Sequence, residues 1–570
     1  MPSYTVRPPI SSSAKEQLKF FADLPAHLLF YRGLTDSTAA QAFLSPNYEA
    51  HRYDPFLMRD MEVAVARVAK AIADNEHIVI YSDYDADGVP GGVILHDLFC
   101  KIGYTNFENY IPDRHHEGFG LNHTAIDSFV ASGTKLLITV DCGIADREEL
   151  KRAKKHGIDV IVTDHHLPPD GKLPLAVAVL DPKRPDCTYP DKNLCGSGVA
   201  FKFVEAFLAR HGETFHVPVG YEKWLLDMVG LATLSDMVPL VGENRVFASF
   251  GMMVLRKTRR PGLRKLLELL KMDVAHLTED DIAFMITPRI NAASRLGEAG
   301  DAFRLLATKD EVEAGALAAR LDALNGERKG LVATLVKEVK RQMKNRTQES
   351  PVLVMGNPDW RPSLLGLVAN TLVEEHHVPV FLWGRDGDGV LKGSCRAPEG
   401  MNVVVLMRLA GDVFEESGGH ACSGGFRVAQ EKVHLLPQAL ERAYQEGSDK
   451  PDEADVLFVE RVMTMEDVSR ATFASILPFA PFGMGNAKPL FLFKSVQVAE
   501  ARKFGKSNAH LSLSFAKKNG DMVQAIAFFA DKNGFSRPPE IGATIDLIAS
   551  FEQSFFRGRE ELRLRIVDIV

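Results

Sequence analysis

The sequence predicts an α/β protein built on a parallel sheet, followed by a mostly helical connector, a second α/β unit and a small terminal β-barrel. Three observations lead there. Between His77 and Thr163, short apolar runs alternate with helix-like segments: HIVIY (His77–Tyr81), VILHDLFCKIG (Val93–Gly103), KLLITV (Lys135–Val140) and DVIVT (Asp159–Thr163). Strands apolar throughout and separated by helices belong to a sheet covered on both faces. After NRTQESP (Asn345–Pro351) the alternation restarts with VLVMG, SLLGLVANTLVEEH and VPVFLW. Beyond EGSDKPDEAD (Glu446–Asp455) the runs shorten and alternate, as in HLSLSF, AIAFFA and LRLRIV, the pattern of a small antiparallel barrel such as an OB-fold.

Taken in order, the elements divide 570 residues, too many for one core. We expect a helical lead-in over 1–57, the parallel-sheet domain over 58–245, a helical connector over 246–345, the second α/β domain over 346–450 and the barrel over 451–570. The connector ends in a long charged helix from Thr308, where Thr308 and Glu311 make a capping-box pattern. Its basic run KTRRPGLRK (Lys257–Lys265) reads as a solvated face. With 46% hydrophobic and 25% charged residues the composition is that of a soluble globular protein. The opening residues lack the pattern of a signal peptide, and no apolar stretch is long enough to span a bilayer, so a cytoplasmic location is expected. The cysteines are scattered without CxxC pairing, which argues against a zinc site and fits a reducing compartment. A net charge of −8 argues weakly against nucleic acid, yet phosphate binding answers to local charge, so composition leaves the partner open.

The strongest local signal is YSDYDADG (Tyr81–Gly88), where Asp83, Asp85 and Asp87 alternate directly after an apolar strand. Carboxylates at the carboxyl end of a parallel strand face the crevice where such sheets bind ligands. Three so close resist full ionisation unless a cation neutralises them. An EF-hand also spaces acids by two, but the continuation GVPGGVILHDLF lacks the final acidic ligand. Acidic turn residues capping the next helix would account for one aspartate, not three. LLITVDCG places Asp141 after another strand, DVIVTDHH places Asp164, His165 and His166 after a third, and GLATLSDMVPL holds Asp236. Each alone is more simply an N-cap or a satisfied polar residue. Together they form a carboxylate–imidazole set without thiolates, which suits Mn²⁺ or Mg²⁺. Such a set can hold two divalent ions about 4 Å apart and hydrolyse a phosphoester.

In order and spacing, DYDADG, VDCG, TDHH and SDMVPL resemble the motifs of the DHH phosphoesterases. DPFLMRDMEVAVARVAKAI, IPDRHHEGFGLN, PRINAASRLGEA, GSCR, GGHACSGGF and PFGMGNAKPLF narrow the likeness to the RecJ-like exonucleases over almost the whole chain. The resemblance implies a DHH domain, a connecting helix, a DHH-associated domain and an OB-fold around a hole or groove that admits one strand and excludes duplex. It implies a 5′→3′ exonuclease releasing mononucleotides from single-stranded DNA in repair and recombination, a monomer by default, with a helicase and a single-strand-binding protein as partners. By matching positions it makes Asp85, Asp87, Asp141, His165 and Asp236 ligands of two Mn²⁺ or Mg²⁺ ions, assisted by Asp83. Asp164 would orient His165, and His166 would sit near the scissile phosphate. Arg114, Arg289, Asn291, Arg295, Ser394, Arg396 and His420, with Gly419 clearing space, would bind the strand and its terminal phosphate. For Arg289 or Arg295 taken singly, a helix-surface salt bridge is the simpler reading. On the barrel, Arg502, Lys503, Phe504, Lys506 and His510 form a single-strand track of basic and aromatic side chains.

The chain departs from the family pattern at Tyr81, where many members have His, at Arg361 and Ser363 in WRPS, at Cys395 and at Ser294. None is an expected metal ligand; all face substrate motifs. Two other readings stand beside the exonuclease: a DHH enzyme for short oligonucleotides or cyclic dinucleotides, which such shorter proteins represent without the barrel, and a non-catalytic strand-binding scaffold, which would have lost ligands that are all present here.

Overall fold

The computed structural model describes residues 4–344, 350–447, 457–505, 508–530, 535, 539–556 and 559–570. Its first sheet has five parallel strands in the order Phe107–Tyr110, Ile78–Ser82, Leu136–Val140, Asp159–Thr163 and Ala178–Leu180. Strict alternation explains why these runs are apolar throughout. Ile78, Ile80, Leu136 and Ile138 enter one core, whereas Val79, Tyr81 and Leu137 enter another on the opposite face. Helices Gly88–Lys101 and Gly196–His211 cover the first face, and His123–Ala131 and Arg147–Lys155 the second. The chain leaves Ile78–Ser82 toward one edge of the sheet and Leu136–Val140 toward the other. The crevice therefore opens between the carboxyl ends of those two strands, where Asp83–Asp87 and Asp141 follow them.

The sheet domain and the helices after it share one core. The helix Gly242–Leu255 runs across the boundary expected at residue 245, and Leu263, Leu305 and Leu321 pack with Phe99 and Phe247. Arg260 locks this union: its buried guanidinium lies 2.6 Å from Asp227 and 2.8 Å from Asp97. The run Lys257–Lys265 is thus not simply a solvated face, because a sequence of basic residues does not reveal acids waiting on two other helices. The long helix spans Glu311–Met343 and is capped by Asp310, whose Oδ1 accepts from the Val312 and Glu313 amides. Thr308, expected as the cap, lies two residues too early and donates to Glu313 instead.

The second unit is a five-stranded mixed sheet ordered Glu416–His420, Ser423–Val428, Leu391–Arg396, Val380–Arg385 and Leu353–Gly356, with only the last pair parallel. Pro362–His376 packs on one face together with Leu335 and Val339 of the long helix; Val403–Ala410 and Leu436–Gly447 cover the other. The terminal unit is a closed barrel of Phe491–Phe504, His510–Ala516, Met522–Ala527, Arg559–Ile569 and Thr544–Phe556, sealed by pairing of the first with the last. It is not wholly antiparallel. Met522–Ala527 and Arg559–Ile569 run parallel, because a long connection separates Ala527 from the next strand.

The lead-in helices Ser12–Gln17, Asp23–Phe30 and Ser37–Leu44 pack on this barrel: Leu18, Leu28 and Phe43 share its core with Phe479 and Phe491. The strand Tyr4–Val6 pairs in parallel with Leu457–Val459. All six cysteines are free, and among the described residues no helix is long and apolar enough to cross a membrane.

Candidate metal and phosphate site

Five aspartates and two histidines converge at the crevice. Side-chain atoms of Asp83, Asp85 and Asp141 lie within 4.8 Å of one another, as do those of Asp87, His165 and Asp236, and those of Asp141, His165 and His166. His165 Nε2 is the hub, 3.2 Å from Asp141 and 3.7 Å from both Asp87 and Asp236. Local backbone sets these positions. Asp141 ends its strand with φ 61°, a left-handed conformation that aspartate tolerates better than most residues. Gly143, at φ 109°, finishes the turn where a Cβ would sit 2.7 Å from the Thr139 hydroxyl. Asp85 accepts from the amides of Asp87 and Gly88, folding DYDADG into a tight loop, and Asn291 Oδ1 accepts from Ala86 N at 2.9 Å. Asn291, expected at the substrate, therefore braces the acidic loop through its carbonyl.

The amino end of the helix Gly196–His211 holds Asp87. Gly196 N donates to Oδ2 at 2.6 Å, Ser197 N donates to Oδ1 at 2.8 Å, and the Ser197 hydroxyl donates to the Asp87 carbonyl at 2.5 Å. The sequence reading missed Gly196 and Ser197; the signal was CGSG (Cys195–Gly198) opening a helix-like run.

The electrostatics fit divalent cations. Burial, then the charge of Asp85, pushes the Asp83 carboxyl well above the usual carboxylate range. Burial and then Asp87, Asp85 and Asp83 do the same to Asp141; burial with Asp87 and Asp85 does so to Asp236. Asp87 rises to about 6 through burial and Asp85, even against its helix-end hydrogen bonds. Asp83 Oδ1 is buried without a hydrogen-bond partner among the described residues. Such a set is held together by positive charge at its centre, and carboxylates with imidazole select Mn²⁺ or Mg²⁺.

Asp164 orients His166, not His165 as expected. Its Oδ1 lies 2.7 Å from His166 Nδ1 and accepts from the amides of His165 and His166, while Oδ2 accepts from Ile144 N at 2.9 Å. A carboxylate fixed by three backbone amides turns under its own loop, and the ring above it belongs to the second histidine. Burial opposes a charge on His166, but the Asp164 hydrogen bond prevails and holds its pKa at about 9; Asp164, against the same burial, falls to about 2.

Beside the acids lies a cluster of arginines, of which Arg114 acts on Asp83 through its charge, and Arg114, Arg295 and Arg396 form no salt bridge among the described residues. The Arg114 guanidinium sits 4.7 Å over the Tyr84 ring. Arg295 is bonded to the Ser363 carbonyl at 2.6 Å and Arg396 to the Cys395 carbonyl at 2.8 Å. Burial, then Arg114 and Arg328, lowers Arg295 to about 9; burial and Arg114 also lower Arg396. Gly366 leaves room for Arg396, since a Cβ there would lie 2.9 Å from the guanidinium. Ser394 shares the strand Leu391–Arg396. Gly419, at φ 139°, could carry no side chain: a Cβ would meet the Ser423 carbonyl at 2.3 Å. The side chain of His420 lies outside the described residues. Arg289 stands at the edge of the cluster, where its charge, after burial, lowers Arg328, but its own fork is engaged. It is buried, with its fork bonded to Asp322 at 2.7 Å and 2.9 Å and to the Met285 carbonyl. The salt bridge that is the simpler reading for a lone arginine holds there, because Asp322 faces it from the long helix. Arg328, on that same helix, was not singled out in the sequence and stands close enough to lower Arg295.

The departures from the family pattern have visible places. Tyr81 is buried, donates to the Gly120 carbonyl at 2.7 Å and stacks on Tyr110 at 5.3 Å. Ser363 donates to the Arg295 carbonyl at 3.2 Å, and Ser294 donates to Asn291 O at 3.3 Å. On the barrel, Phe504 lies 5.2 Å from His510, and Phe528 continues this aromatic face beneath Arg565 at 4.1 Å. Lys506 lies outside the described residues.

Known proteins match this architecture. Residues 77–233 match the model of the DHH family, N-terminal domain, residues 349–446 that of the DHHA1 domain, and residues 459–568 that of the RecJ OB domain. The chain is 35% identical over 558 residues to the single-stranded-DNA-specific exonuclease RecJ of Bacillus subtilis, covering 98% of this chain and 69% of that protein. It is 30% identical over 532 residues to the protein of that name from Haemophilus influenzae, covering 91% of each. Among solved structures, RecJ of Thermus thermophilus in complex with Mn²⁺ superposes with a TM-score of 0.81 at 27% identity, over 100% of this chain and 79% of that one.

Proposed function

The chain belongs to the RecJ family of single-stranded-DNA-specific exonucleases, and on that premise we propose that it degrades single-stranded DNA from the 5′ end to mononucleotides with Mn²⁺ or Mg²⁺. One observation carries the reading: a group of carboxylates and imidazoles adjoins a cluster of arginines, Arg114, Arg295 and Arg396, that form no salt bridge among the described residues. Asp83, Asp85, Asp87, Asp141, His165 and Asp236 would hold two ions, and bound ions supply charge neutralisation and Lewis acidity toward a phosphodiester. Gly196 and Ser197 fix the direction of Asp87, and Asp164 fixes the ring of His166. His166, with Nδ1 so engaged, presents Nε2 for a hydrogen bond to a phosphate oxygen. Arg114, Arg295 and Arg396 bind the terminal phosphate, for which the planar guanidinium fork is suited, and Arg328 adds to their field. The connector meets the second unit at Arg295–Ser363, and the sheet domain meets it at His116–Asp388, 3.8 Å apart, so the strand end is held between the two units.

The Phe504–His510–Phe528 face of the barrel stacks bases farther along the strand. We further propose that the protein works in DNA repair and recombination in the cytoplasm, as a monomer, on strands delivered by a helicase or a single-strand-binding protein. The test is nuclease assay of EDTA-treated protein on single-stranded and duplex DNA, with Mn²⁺ restored, alongside Asp141→Ala. Restored cleavage of the single strand alone, absent in the variant, supports the proposal. Cleavage of a dinucleotide but not of longer strands would make the protein a short-oligonucleotide phosphodiesterase, and binding without cleavage would make it a scaffold.

A further inference from the structure

Asp236 differs from its neighbours in how it is held. Asp87 and Asp164 are fixed by backbone amides, whereas among the described residues no amide reaches the Asp236 carboxylate, which faces His165 at 3.7 Å. Its place is therefore set by its backbone. Asp236 closes the helix Leu226–Ser235, its N–H donating to the Ala232 carbonyl at 2.9 Å, and Met237 then turns left-handed with φ 57°. Residues 238–241 follow without regular structure until the helix Gly242–Leu255 begins.

That stretch is seated on the barrel unit. Leu240 N donates to the Met484 carbonyl at 2.8 Å. The two glycines of PFGMGN (481–486) let the chains meet closely: a Cβ on Gly483 would stand 2.9 Å from Leu240 Cδ1, and one on Gly485 3.2 Å from Pro239 Cβ. Gly485 also has φ 70°, which favours glycine. The turn is itself immobilised. Gly483 and Asn486 exchange both backbone hydrogen bonds, at 3.0 and 3.1 Å. The buried Asn486 amide donates to the Phe479 and Pro481 carbonyls at 2.8 and 2.9 Å, and its Oδ1 accepts from Arg32 at 2.8 Å. From the other side Arg245, buried on the helix that follows the stretch, donates to the carbonyls of Phe43, Pro478, Phe479 and Ala480. A planar fork spread over four carbonyls holds the two elements in one register.

We propose that the turn over 481–486 is a positioning element of the metal site: it fixes the backbone from which Asp236 reaches the other ligands. The barrel unit thereby contributes to metal binding as well as to strand binding. The inference rests on the reading of Asp236 as a metal ligand. It also gives PFGMGN a task that base stacking on the far aromatic face of the barrel does not.

The test is calorimetry of Mn²⁺ binding to the full chain, for wild type, Gly483→Ala, Gly485→Ala and a control, Leu513→Ala, which opens a void in the barrel core. Cleavage of single-stranded DNA is followed across Mn²⁺ concentrations on the same proteins. Groups that orient metal ligands are worth about 10–100-fold in metal affinity. We expect each glycine variant to bind Mn²⁺ about tenfold more weakly and to need about tenfold more Mn²⁺ for half-maximal cleavage. At saturating Mn²⁺ their kcat should recover, with KM for the strand unchanged. Leu513→Ala should lower Tm at least as far and bind Mn²⁺ as wild type does. Glycine variants with wild-type Mn²⁺ affinity, or with a loss that Leu513→Ala shares, overturn the inference. So does a raised KM at unchanged Mn²⁺ affinity, which would make the turn a strand contact. A wild type that binds no Mn²⁺ defeats the metal-site reading and this inference with it. A wild type that binds Mn²⁺ and cuts no strand defeats the exonuclease reading alone, and the calorimetry still decides this one.

Discussion

Replacing Gly196 with alanine puts a methyl group 2.6 Å from the Cβ of Asp141 and 2.7 Å from its Oδ1, where ordinary contact begins near 3.4 Å. One of the two must move by about 1 Å. Gly196 opens a helix whose amide also holds Asp87, and Asp141 ends a central strand in a left-handed turn, so neither side yields without moving a carboxylate. Overpacking of this size costs about 1–3 kcal/mol. Alanine's better helix propensity returns up to about 1 kcal/mol, so the fold should survive with a modestly lower Tm. Function should suffer far more, because a displacement near 1 Å at a reacting centre costs about 100-fold. The assay is Mn²⁺-dependent release of label from single-stranded DNA, with Mn²⁺ affinity measured by calorimetry on the same protein. We expect kcat to fall about 100-fold and Mn²⁺ to bind at least tenfold more weakly. Wild-type rate and affinity in a protein with normal Tm would refute the claim that this helix end sets the acid geometry.

Arg260→Leu leaves Asp227 buried without its cation and Asp97 with only Lys309 at 3.7 Å, and should destabilise the shared core by about 3–5 kcal/mol, read as an earlier first transition in urea. Arg396→Ala should weaken binding of a 5′-phosphorylated strand about tenfold or more and lower the salt slope by about one, with little change for a strand lacking that phosphate. Metal-free protein should grow more stable as pH falls from 8 to 5. Asp87 at about 6 and Asp146 at about 7, both raised chiefly by burial, penalise the folded state above those values, and the penalty disappears as they protonate. His166, raised to about 9, adds stability that is complete below its unfolded pKa and lost as pH rises toward 9, so it acts in the same direction. Mn²⁺ should reverse the trend, lifting Tm most at pH 8 where the carboxylates are ionised. A metal-free Tm that rises with pH across this window would contradict the electrostatic account.

The acids at three strand ends were legible because a parallel strand and its ligand-facing residues are neighbours in sequence. What holds those acids was not. Gly196 and Ser197 reach Asp87 across 109 and 110 residues, and no local pattern announces the pairing. Separation in sequence likewise hid Asp322 from Arg289 and the two aspartates from Arg260, so arginines that look alike in sequence divide into one that braces helices, one that locks a core and others left to meet phosphate. The lead-in read only as a helical segment ahead of the first domain, yet its apolar residues complete the barrel core some 450 residues away, since apolar faces carry no address. Asp164 shows the limit at short range. Either of the two histidines after it was within reach, and the backbone amides around its carboxylate decided which ring it orients.

The most direct test of the account is polarity. A single strand labelled at one end is blocked by biotin–streptavidin at the 5′ or the 3′ terminus and incubated with protein and Mn²⁺. The account predicts that the 5′ block protects the strand, that the 3′ block does not, and that mononucleotides are released until the block is reached. Protection by the 3′ block alone, or release of internal fragments under both, would contradict it.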